Sequence, residues 1–320
     1  MVKMKILVTG SAGFIGFHTC LALLNRGDKV IGIDSLNEYY DITLKNSRNE
    51  ILLKNKNYTF YKTNIANKEE LFSIISKEKP SKIINLAAQA GVRYSLENPF
   101  IYEESNLKGF LNILEACRQF SIKDLIYASS SSVYGANTKT PFSESDRVDT
   151  PISLYAATKK SNEEMAFVYH HLFGLNVTGL RFFTVCGPYG RPDMAMFSFT
   201  KDIIEGNTIK LFNNGKMKRD FTFVSDIVEG ILLALDKSFS CEIFNLARGE
   251  SQELLDFVKE IENSSGKKAK TELFPLQQGD VLITSADISK AKKLLGYNPK
   301  KSIKEGVKEF VNWYKEYYKK

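Results

Sequence analysis

The sequence contains few of the residues that build metal centres and disulfide frameworks. Its 320 residues include three histidines and four cysteines, with no C-x-x-C pair and no H-E-x-x-H motif. We therefore expect no metal site and no disulfide framework. Cysteine usage of this kind is typical of the reducing cytoplasm.

Long hydrophobic runs are also absent. No window holds the roughly 18 consecutive apolar residues of a membrane-spanning helix. The apolar start of the chain resembles a signal peptide, but Gly13, Gly16 and His18 interrupt it, and no small-residue cleavage site follows before Arg26. We expect a cytoplasmic protein with no membrane partner.

The formal net charge of +7 comes from one segment of the chain. Residues 290–320 hold ten lysines and three glutamates, so the rest of the chain is balanced. The same segment predicts an amphipathic helix from about Ser302, with lysines on its solvated face. The predicted buried stripe consists of Ile303, Val307, Phe310, Val311 and Tyr314. No aromatic–basic alternation accompanies it, so no nucleic-acid partner is expected.

Apolar runs alternate with helical patterns through the first half of the chain. Strands are predicted at 5–9, 29–33, 58–62, 82–86, 124–128 and 177–180, and helices at 14–24, 68–78, 99–120 and 154–173. This alternation predicts an α/β fold with a Rossmann-type, doubly wound parallel sheet. After Arg181 the alternation weakens. We predict a Rossmann-type domain over 1–180, rejoined by about 223–245, and a second, smaller α/β lobe over most of 181–320 that borders a ligand cleft.

A glycine-rich segment follows the first predicted strand and opens the first helix. Its residues are Gly10, Ser11, Ala12, Gly13, Phe14, Ile15 and Gly16. Glycines at this point allow a tight turn and close approach of the backbone to a pyrophosphate, which the helix N-terminus attracts. Asp34 ends the next strand, where a carboxylate suits the ribose hydroxyls of NAD and repels the 2′-phosphate of NADP. The segment therefore predicts an NAD site.

Tyr155 and Lys159 are four residues apart, so on a helix they share a face. An ammonium about 6 Å from a phenol, at an effective dielectric near 20, stabilises the phenolate by roughly 3 kcal/mol, or about two pKa units. The positive ring of an oxidised nicotinamide adds to this effect. The pair predicts a base that accepts an alcohol proton while hydride leaves the same carbon. A serine run, Ser129–Ser132, ends a strand and can hydrogen-bond the reacting oxygen through Ser130, Ser131 or Ser132.

Together these motifs resemble the extended branch of the short-chain dehydrogenase/reductase superfamily, with G-x-x-G-x-x-G glycine spacing. The resemblance implies that Ser130 is the catalytic serine, because it occupies the family's position before Val133-Tyr134-Gly135. Asn64 stands where aspartate is usual in the family. The further cofactor-binding residues that the resemblance implies are Phe14, Ile15, Asn64, Ile65, Leu86, Ala87, Ala88, Asn106, Tyr155, Lys159 and Phe183.

The residues after Ser130 distinguish between related reactions. In the sugar-nucleotide 4,6-dehydratases an Asp-Glu pair follows the catalytic serine or threonine, and the UDP-glucuronate decarboxylases carry a glutamate before Val-Tyr-Gly. Here Ser131 and Ser132 occupy those positions, and hydroxyls cannot act as carboxyl acids or bases. Oxidation at C4 and return of the hydride remain feasible.

Later loops resemble the nucleotide-sugar pocket of UDP-sugar epimerases. The resemblance assigns Arg219 to the diphosphate and Asp280 to the uridine ribose, while Thr184 replaces an asparagine found in UDP-glucose 4-epimerases. Segments 88–95, 190–194 and 215–221 are similar to UDP-glucuronate 4-epimerases, in which Arg191 binds the sugar carboxylate. A C6 carboxylate needs a cation near C5, which Arg191 or Arg93 can supply. Three positions depart from that pattern, namely Asn85, Cys186 and Ser285.

The resemblance implies an NAD-dependent 4-epimerase that interconverts UDP-glucuronate and UDP-galacturonate. A UDP-glucose/UDP-galactose epimerase or one of broad specificity is the main alternative. A decarboxylase, a reductase that consumes NADH and a non-catalytic NAD-sensing module are further alternatives, and the intact Tyr155–Lys159 pair argues against the last. The family also implies a homodimer.

Overall fold

The computed structural model describes residues 3–275 and 282–320. Its strands are β1 (Lys5–Thr9), β2 (Lys29–Asp34), β3 (Tyr58–Lys62), β4 (Lys82–Asn85), β5 (Asp124–Ser130), β6 (Asn176–Phe182), β7 (Thr184–Cys186), β8 (Thr208–Leu211), β9 (Lys218–Phe223), β10 (Cys241–Leu246), β11 (Ser251–Glu253) and β12 (Lys270–Leu273). Its α-helices are α1 (Phe14–Arg26), α2 (Ile42–Leu53), α3 (Lys68–Glu78), α4 (Tyr94–Glu97), α5 (Phe100–Tyr102), α6 (Gly109–Gln119), α7 (Leu154–Phe173), α8 (Ala195–Glu205), α9 (Val224–Lys237), α10 (Leu254–Ser265) and α11 (Ile303–Tyr318).

Seven parallel strands form the central sheet, in the order β10-β6-β5-β4-β1-β2-β3. The chain order reverses between β1 and β4, and ligands of open α/β sheets bind in the crevice at such a point. The predicted Rossmann-type sheet is therefore confirmed. The predicted strands and most of the predicted helices match these elements within a few residues.

Side chains of alternate residues along β1 enter different cores. Ile6 and Val8 pack in the cluster that includes residues of α1, α2 and α9. Leu7 packs on the opposite face, in the cluster that includes residues of α3, α6 and α7. Because both faces of the sheet are covered, the strands are apolar on both sides.

The remaining elements form a second unit beside the sheet. Strands β7, β9 and β11 form a three-stranded sheet, β8 pairs with β12, and helices α8, α10 and α11 pack against them. Ser302 is the N-cap of α11 and forms a capping box with Glu305, at the point where the amphipathic helix is predicted to start. The chain leaves the central sheet after β6 and returns to it at β10. The predicted domain boundaries stay a prediction.

Within the described residues, no helix combines the length and the apolar character needed to cross a lipid bilayer.

Candidate active site

A cavity of about 1030 Å³ opens at the carboxyl ends of the central strands. Its wall contains most of the residues that the sequence singles out for cofactor, substrate or catalysis. These are Gly10, Gly13, Phe14, Ile15, Gly16, Asp34, Asn64, Ile65, Leu86, Ala87, Ala88, Arg93, Ser130, Tyr155, Lys159, Phe183, Thr184, Arg191 and Arg219. Asp280 lies outside the described residues. The fold thus gathers residues from many separate segments around one cavity.

The glycine segment forms a tight turn between β1 and α1. Gly10 has φ +69°, and a Cβ there would lie 2.8 Å from the backbone nitrogen of Ala87. A Cβ on Gly13 would lie 2.9 Å from the carbonyl oxygen of Gly10, and one on Gly16 only 2.0 Å from it. Side chains are therefore excluded where the turn meets the helix, as a close-fitting phosphate site requires.

The first turn of α1 is open to an anion. Its N-cap, Gly13, has no side chain to occupy the free backbone N–H groups, and no acidic residue lies in the first turn. Because unpaired N–H groups and the helix dipole make this end positive, it suits a pyrophosphate.

Asp34 closes this end of the cavity. One carboxylate oxygen accepts the N–H of Ala12 at 3.0 Å, and the other accepts the N–H of Leu36 at 2.9 Å. Burial raises the pKa of Asp34, while these hydrogen bonds and the charges of Lys45 and Arg48 oppose the rise. The carboxylate holds the glycine turn and faces the cavity at the end of β2.

Arg48 on α2 was not indicated by the sequence. Its buried guanidinium donates to the carbonyl oxygen of Ala12 at 2.9 Å, to the hydroxyl of Tyr40 at 2.7 Å and to the carbonyl oxygen of Tyr189 at 2.6 Å. It ties the glycine turn to the loop before Arg191. An isolated arginine in a sequence is usually interpreted as an exposed charge on the surface. The neighbouring tyrosines were the available signal in the sequence that Arg48 is buried.

Tyr155 lies in the first turn of α7, which begins at the N-cap Ser153. Its hydroxyl hydrogen-bonds the side chain of Ser130. The Ser130 hydroxyl also accepts the N–H of Ser132 at 3.1 Å, which orients it at the end of β5. Ser131 and Ser132 are on the cavity wall too, but Ser130 is the serine with this bond to Tyr155.

Burial has the largest effect on the pKa of Tyr155 and on that of Lys159, two titratable side chains of α7. It raises the pKa of Tyr155, against the smaller opposing effects of the Ser130 hydroxyl and the Arg191 charge. It lowers the pKa of Lys159 to about 8, and Glu163 opposes that shift. The prediction of a phenol activated by Lys159 did not include this burial, which has the largest effect on the pKa of Tyr155. Tyr155 therefore needs a further positive charge nearby to ionise near neutral pH.

Asn106 is buried behind the cavity and is not among its lining residues. Its side chain accepts the N–H of Gln89 at 2.8 Å and donates to the Gln89 carbonyl at 3.0 Å. It also donates to the hydroxyl of Thr158 at 3.1 Å. Asn106 thus holds the loop after β4 against α7.

Arg191 forms a two-bond ion pair with Asp193. Its Nε donates to Oδ1 of Asp193 at 3.0 Å, and its Nη2 donates to Oδ2. Tyr39 donates to the same carboxylate at 3.2 Å, and its ring centroid lies 5.8 Å from the guanidinium carbon. Burial lowers the pKa of Arg191, but Asp193 outweighs it, so the net pKa is above the usual value. The cation is fixed in place at the cavity wall.

The other candidate substrate residues reach the cavity from three different segments. Nη1 of Arg219 donates to the carbonyl oxygens of Lys218 at 3.0 Å and Leu282 at 3.2 Å. The guanidinium carbon of Arg93 lies 5.1 Å from the ring centroid of Phe212. Thr184 begins β7 on the same wall. Two arginines besides Arg191 therefore border one cavity, as an anionic ligand requires.

The three departures from the epimerase pattern lie away from the cavity wall. Asn85 accepts the hydroxyl of Thr9 at 2.6 Å between β4 and β1. The thiol of Cys186 donates to the carbonyl oxygen of Thr222 at 3.5 Å, and the carbonyl oxygen of Ser285 accepts the N–H of Phe142. All three make contacts within the protein. Residues 3–275 and 282–320 contain no group of three or more metal-ligating side chains.

The chain is similar to known proteins over nearly its whole length. The chain is 56% identical over 314 residues to an uncharacterized protein of Methanocaldococcus jannaschii, covering 98% of this chain and 96% of that protein. It is 49% identical over 311 residues to a UDP-glucuronate 4-epimerase of Thermodesulfobacterium geofontis, covering 97% and 96%. A crystal structure of UDP-glucuronic acid 4-epimerase from Bacillus cereus, in complex with UDP-glucuronic acid and NAD, matches with a TM-score of 0.92 and 36% identity, covering 98% and 100%.

The fold and cavity place the chain in the extended short-chain dehydrogenase/reductase class. The model of the family described as GDP-mannose 4,6 dehydratase matches residues 7–310. The chain belongs to that family.

Proposed function

We propose that the chain is an NAD-dependent UDP-glucuronate 4-epimerase. The observation that carries the proposal is the content of the cavity. The wall of the cavity contains both the Tyr155–Ser130 pair and Arg191. The residues at positions 131 and 132 on the same wall are serines and carry no carboxyl group. Relatives named UDP-glucuronate 4-epimerase support it over nearly the whole chain.

The residues at the ends of β1 and β2 fit NAD. The side-chain-free turn at Gly10 and Gly16 leaves room for a pyrophosphate, and the open first turn of α1 attracts it. Asp34 offers its carboxylate to ribose hydroxyls. When bound, NAD supplies reversible acceptance of hydride from C4 of the sugar.

Tyr155 takes the proton of the sugar 4-hydroxyl. Ser130, which hydrogen-bonds Tyr155, holds the reacting oxygen within reach of the phenol. Burial in the protein alone favours the neutral phenol, so its ionisation depends on Lys159 being charged and on the positive nicotinamide ring. Tyr155 returns the proton when the 4-keto sugar is reduced on its other face.

The nucleotide remains anchored while the 4-keto sugar turns over. Arg219 holds the diphosphate, because a guanidinium matches phosphate oxygens with paired donors. Asp280 holds the uridine ribose in this proposal. The products differ from the substrate in configuration at C4 alone, so no net oxidation occurs.

Arg191 recognises the C6 carboxylate of the sugar, and Arg93 is the second cation that can reach it. The pair with Asp193 orients the Arg191 guanidinium before substrate arrives. A carboxylate ligand then shares or replaces that partner. A neutral hexose offers no such group, so Arg191 separates uronate from hexose substrates.

Incubation of the purified protein with UDP-glucuronate, followed by NMR, tests the function. We expect UDP-galacturonate with no change in free NADH. A UDP-xylose product would show decarboxylation, and steady consumption of added NADH would show a reductase. No UDP-galacturonate would refute the proposal. UDP-glucose in a parallel reaction tests the alternative of a neutral-sugar or broad-specificity epimerase.

We also propose a homodimer formed through α6 and α7. Large apolar side chains are exposed on these adjacent helices, and contiguous patches of this kind mark interaction sites. They are Leu111, Phe167, Val168, Leu172 and Phe173. Light scattering after size-exclusion chromatography should give a dimer mass for the wild type and a monomer mass for Leu172→Glu. A monomeric wild type at micromolar concentration would contradict the proposal.

We place the reaction in the cytoplasm. The cysteines of the chain, Cys20, Cys117, Cys186 and Cys241, are free, and the first three are buried. Unpaired thiols of this kind persist in a reducing compartment. Fractionation of the native host should recover the protein with the cytoplasm, and recovery from an oxidising compartment would contradict this location.

A further inference from the structure

A buried ion pair lies one helical turn beyond Lys159. The side chains of Glu163 and Arg181 are 2% and 3% exposed. Oε1 of Glu163 accepts Nε of Arg181 at 2.9 Å, and Oε2 accepts Nη2 at 2.9 Å. Removing two charges from water costs free energy that offsets much of their attraction. A contribution to stability is therefore a weak explanation for the pair.

The pair joins three elements that border the cavity. Glu163 lies on α7, and Arg181 lies near the carboxyl end of β6. The hydroxyl of Ser129, at the end of β5, donates to Oε1 of Glu163 at 2.6 Å. Ser129 and Arg181 are register partners in the parallel pair of β5 with β6. One carboxylate therefore holds one helix to the ends of two strands.

These contacts are adjacent to the residues proposed to act on the sugar. Tyr155, Lys159 and Glu163 follow one another at four-residue spacing, so they share a face of α7. Ser129 immediately precedes Ser130, whose hydroxyl bonds Tyr155. The carboxylate thus sets the spacing between the helix face with Tyr155 and the strand end with Ser130.

The charge of Glu163 also acts on Lys159, one helical turn away. Burial lowers the pKa of Lys159 to about 8, and Glu163 opposes the shift. Other charged or titratable groups around this face come from several elements. They are Tyr155 itself, Lys160, which lies 3.9 Å from Glu163, Glu164, which pairs with Lys160, Tyr127 of β5, Arg181 of β6, Tyr134, whose ring centroid lies 4.9 Å from the Arg181 guanidinium carbon, and Tyr102 of α5, whose ring centroid lies 6.1 Å from that of Tyr155.

We propose that Glu163 is a positioning residue of the reaction. It clamps α7 to the ends of β5 and β6, with its carboxylate one helical turn from Lys159 on the same face of α7. The proposal rests on the proposed function, because it assigns Tyr155 and Lys159 to the sugar 4-hydroxyl. Glu163 itself acts through these residues and not on the substrate.

Trace acetylation of the protein at a series of pH values, with peptides quantified by mass spectrometry, measures the pKa of Lys159 without substrate. In Glu163→Gln we expect this value to fall by about one unit or more, because an opposite charge is lost. Glu164→Gln is the matched control, since Glu164 is an exposed neighbour paired with Lys160. It should leave the value as in the wild type. An unchanged Lys159 value in Glu163→Gln would overturn the proposal.

The pH dependence of kcat with UDP-glucuronate gives the second readout. The alkaline limb should move to lower pH in Glu163→Gln by the same amount, because Lys159 loses its proton sooner. Glu163→Asp keeps the charge on a shorter side chain, so it should keep the limb and lower kcat.

The double variant Glu163→Gln/Arg181→Met separates positioning from folding. Removing both charges avoids an unpaired buried arginine, so Tm should recover relative to the single variant. Loss of the Arg181 cation offsets loss of the Glu163 anion at Lys159, so the informative readout is kcat, which should stay low because the clamp is absent. If kcat returns to wild type together with Tm, Glu163 is structural and the proposal is wrong. A wild type inactive on UDP-glucuronate refutes the proposed function instead, while the acetylation experiment still decides the role of Glu163.

Discussion

A methyl group on Gly16 would lie 2.0 Å from the carbonyl oxygen of Gly10, much closer than atoms without a bond approach each other. The same oxygen accepts the N–H of Gly13 at 2.9 Å. The start of α1 is therefore packed directly on the backbone of the turn that precedes it. This contact leaves the helix N-terminus open toward the cavity.

Gly16→Ala should weaken NAD binding about 100-fold, because relief of the overlap costs roughly 3 kcal/mol and moves the turn. Isothermal titration with NAD measures the effect. Gly266→Ala is the matched control, since Gly266 has φ +75° but no atom within 4 Å of its Cβ position. It should cost about 1 kcal/mol in stability and leave NAD binding unchanged. Equal affinities for Gly16→Ala and wild type would contradict the role of the turn.

Tyr155→Phe should lower kcat about 1,000-fold with little change in NAD binding, because the proton acceptor is lost while the helix remains. Turnover of UDP-glucuronate by NMR and titration with NAD are the two measurements. Tyr169→Phe, on the same helix and bonded to Glu115, should retain wild-type turnover. A fully active Tyr155→Phe variant would remove Tyr155 from the mechanism.

Arg191→Gln should lower kcat/KM for UDP-glucuronate about 100-fold, because a charge-assisted contact to the carboxylate is lost. Any turnover of UDP-glucose should change far less. Arg147→Gln is the control, since Arg147 is an exposed arginine paired with Asp149. Competition kinetics with both sugars measure the ratio directly. Equal losses on the two sugars would show that Arg191 does not read the carboxylate.

His18 should make the protein less stable in mild acid. Burial lowers its pKa to about 4 from 6.5, although its bond to the carbonyl oxygen of Pro188 opposes this. Between those values the unfolded chain binds a proton that the folded protein does not, so the free energy of unfolding falls as pH decreases. The expected loss from pH 7.5 to pH 5 is about 2 kcal/mol.

His18→Gln should remove that part of the pH dependence, because glutamine keeps an N–H donor for Pro188 but does not titrate. Urea unfolding at the two pH values, followed by the fluorescence of Trp313, the single tryptophan of the chain, measures the difference. The same decline in variant and wild type would assign the pH dependence to other groups.

The structure also shows where sequence patterns stop being informative. Helix α2 was not predicted, because its buried face includes Lys45, Arg48 and Asn49 and so has no apolar stripe. The helix predicted over 99–120 is interrupted by a π-helical segment, Glu103–Lys108, which turns Asn106 inward. In both places polar contacts with distant residues replace the hydrophobic periodicity on which the predictions depend.

The sequence by itself determined the parallel sheet, the glycine turn, the shared helix face of Tyr155 and Lys159, and the position of the basic helix at the C-terminus. Each of these depends on residues close together in the chain, where spacing translates directly into geometry. Tertiary structure alone decided that Arg48 joins the glycine turn to the loop before Arg191, that Glu163 holds Arg181, and that burial outweighs the effects of Ser130 and Arg191 on the pKa of Tyr155. These features depend on which side chains meet and how much water they lose, and local spacing contains neither quantity.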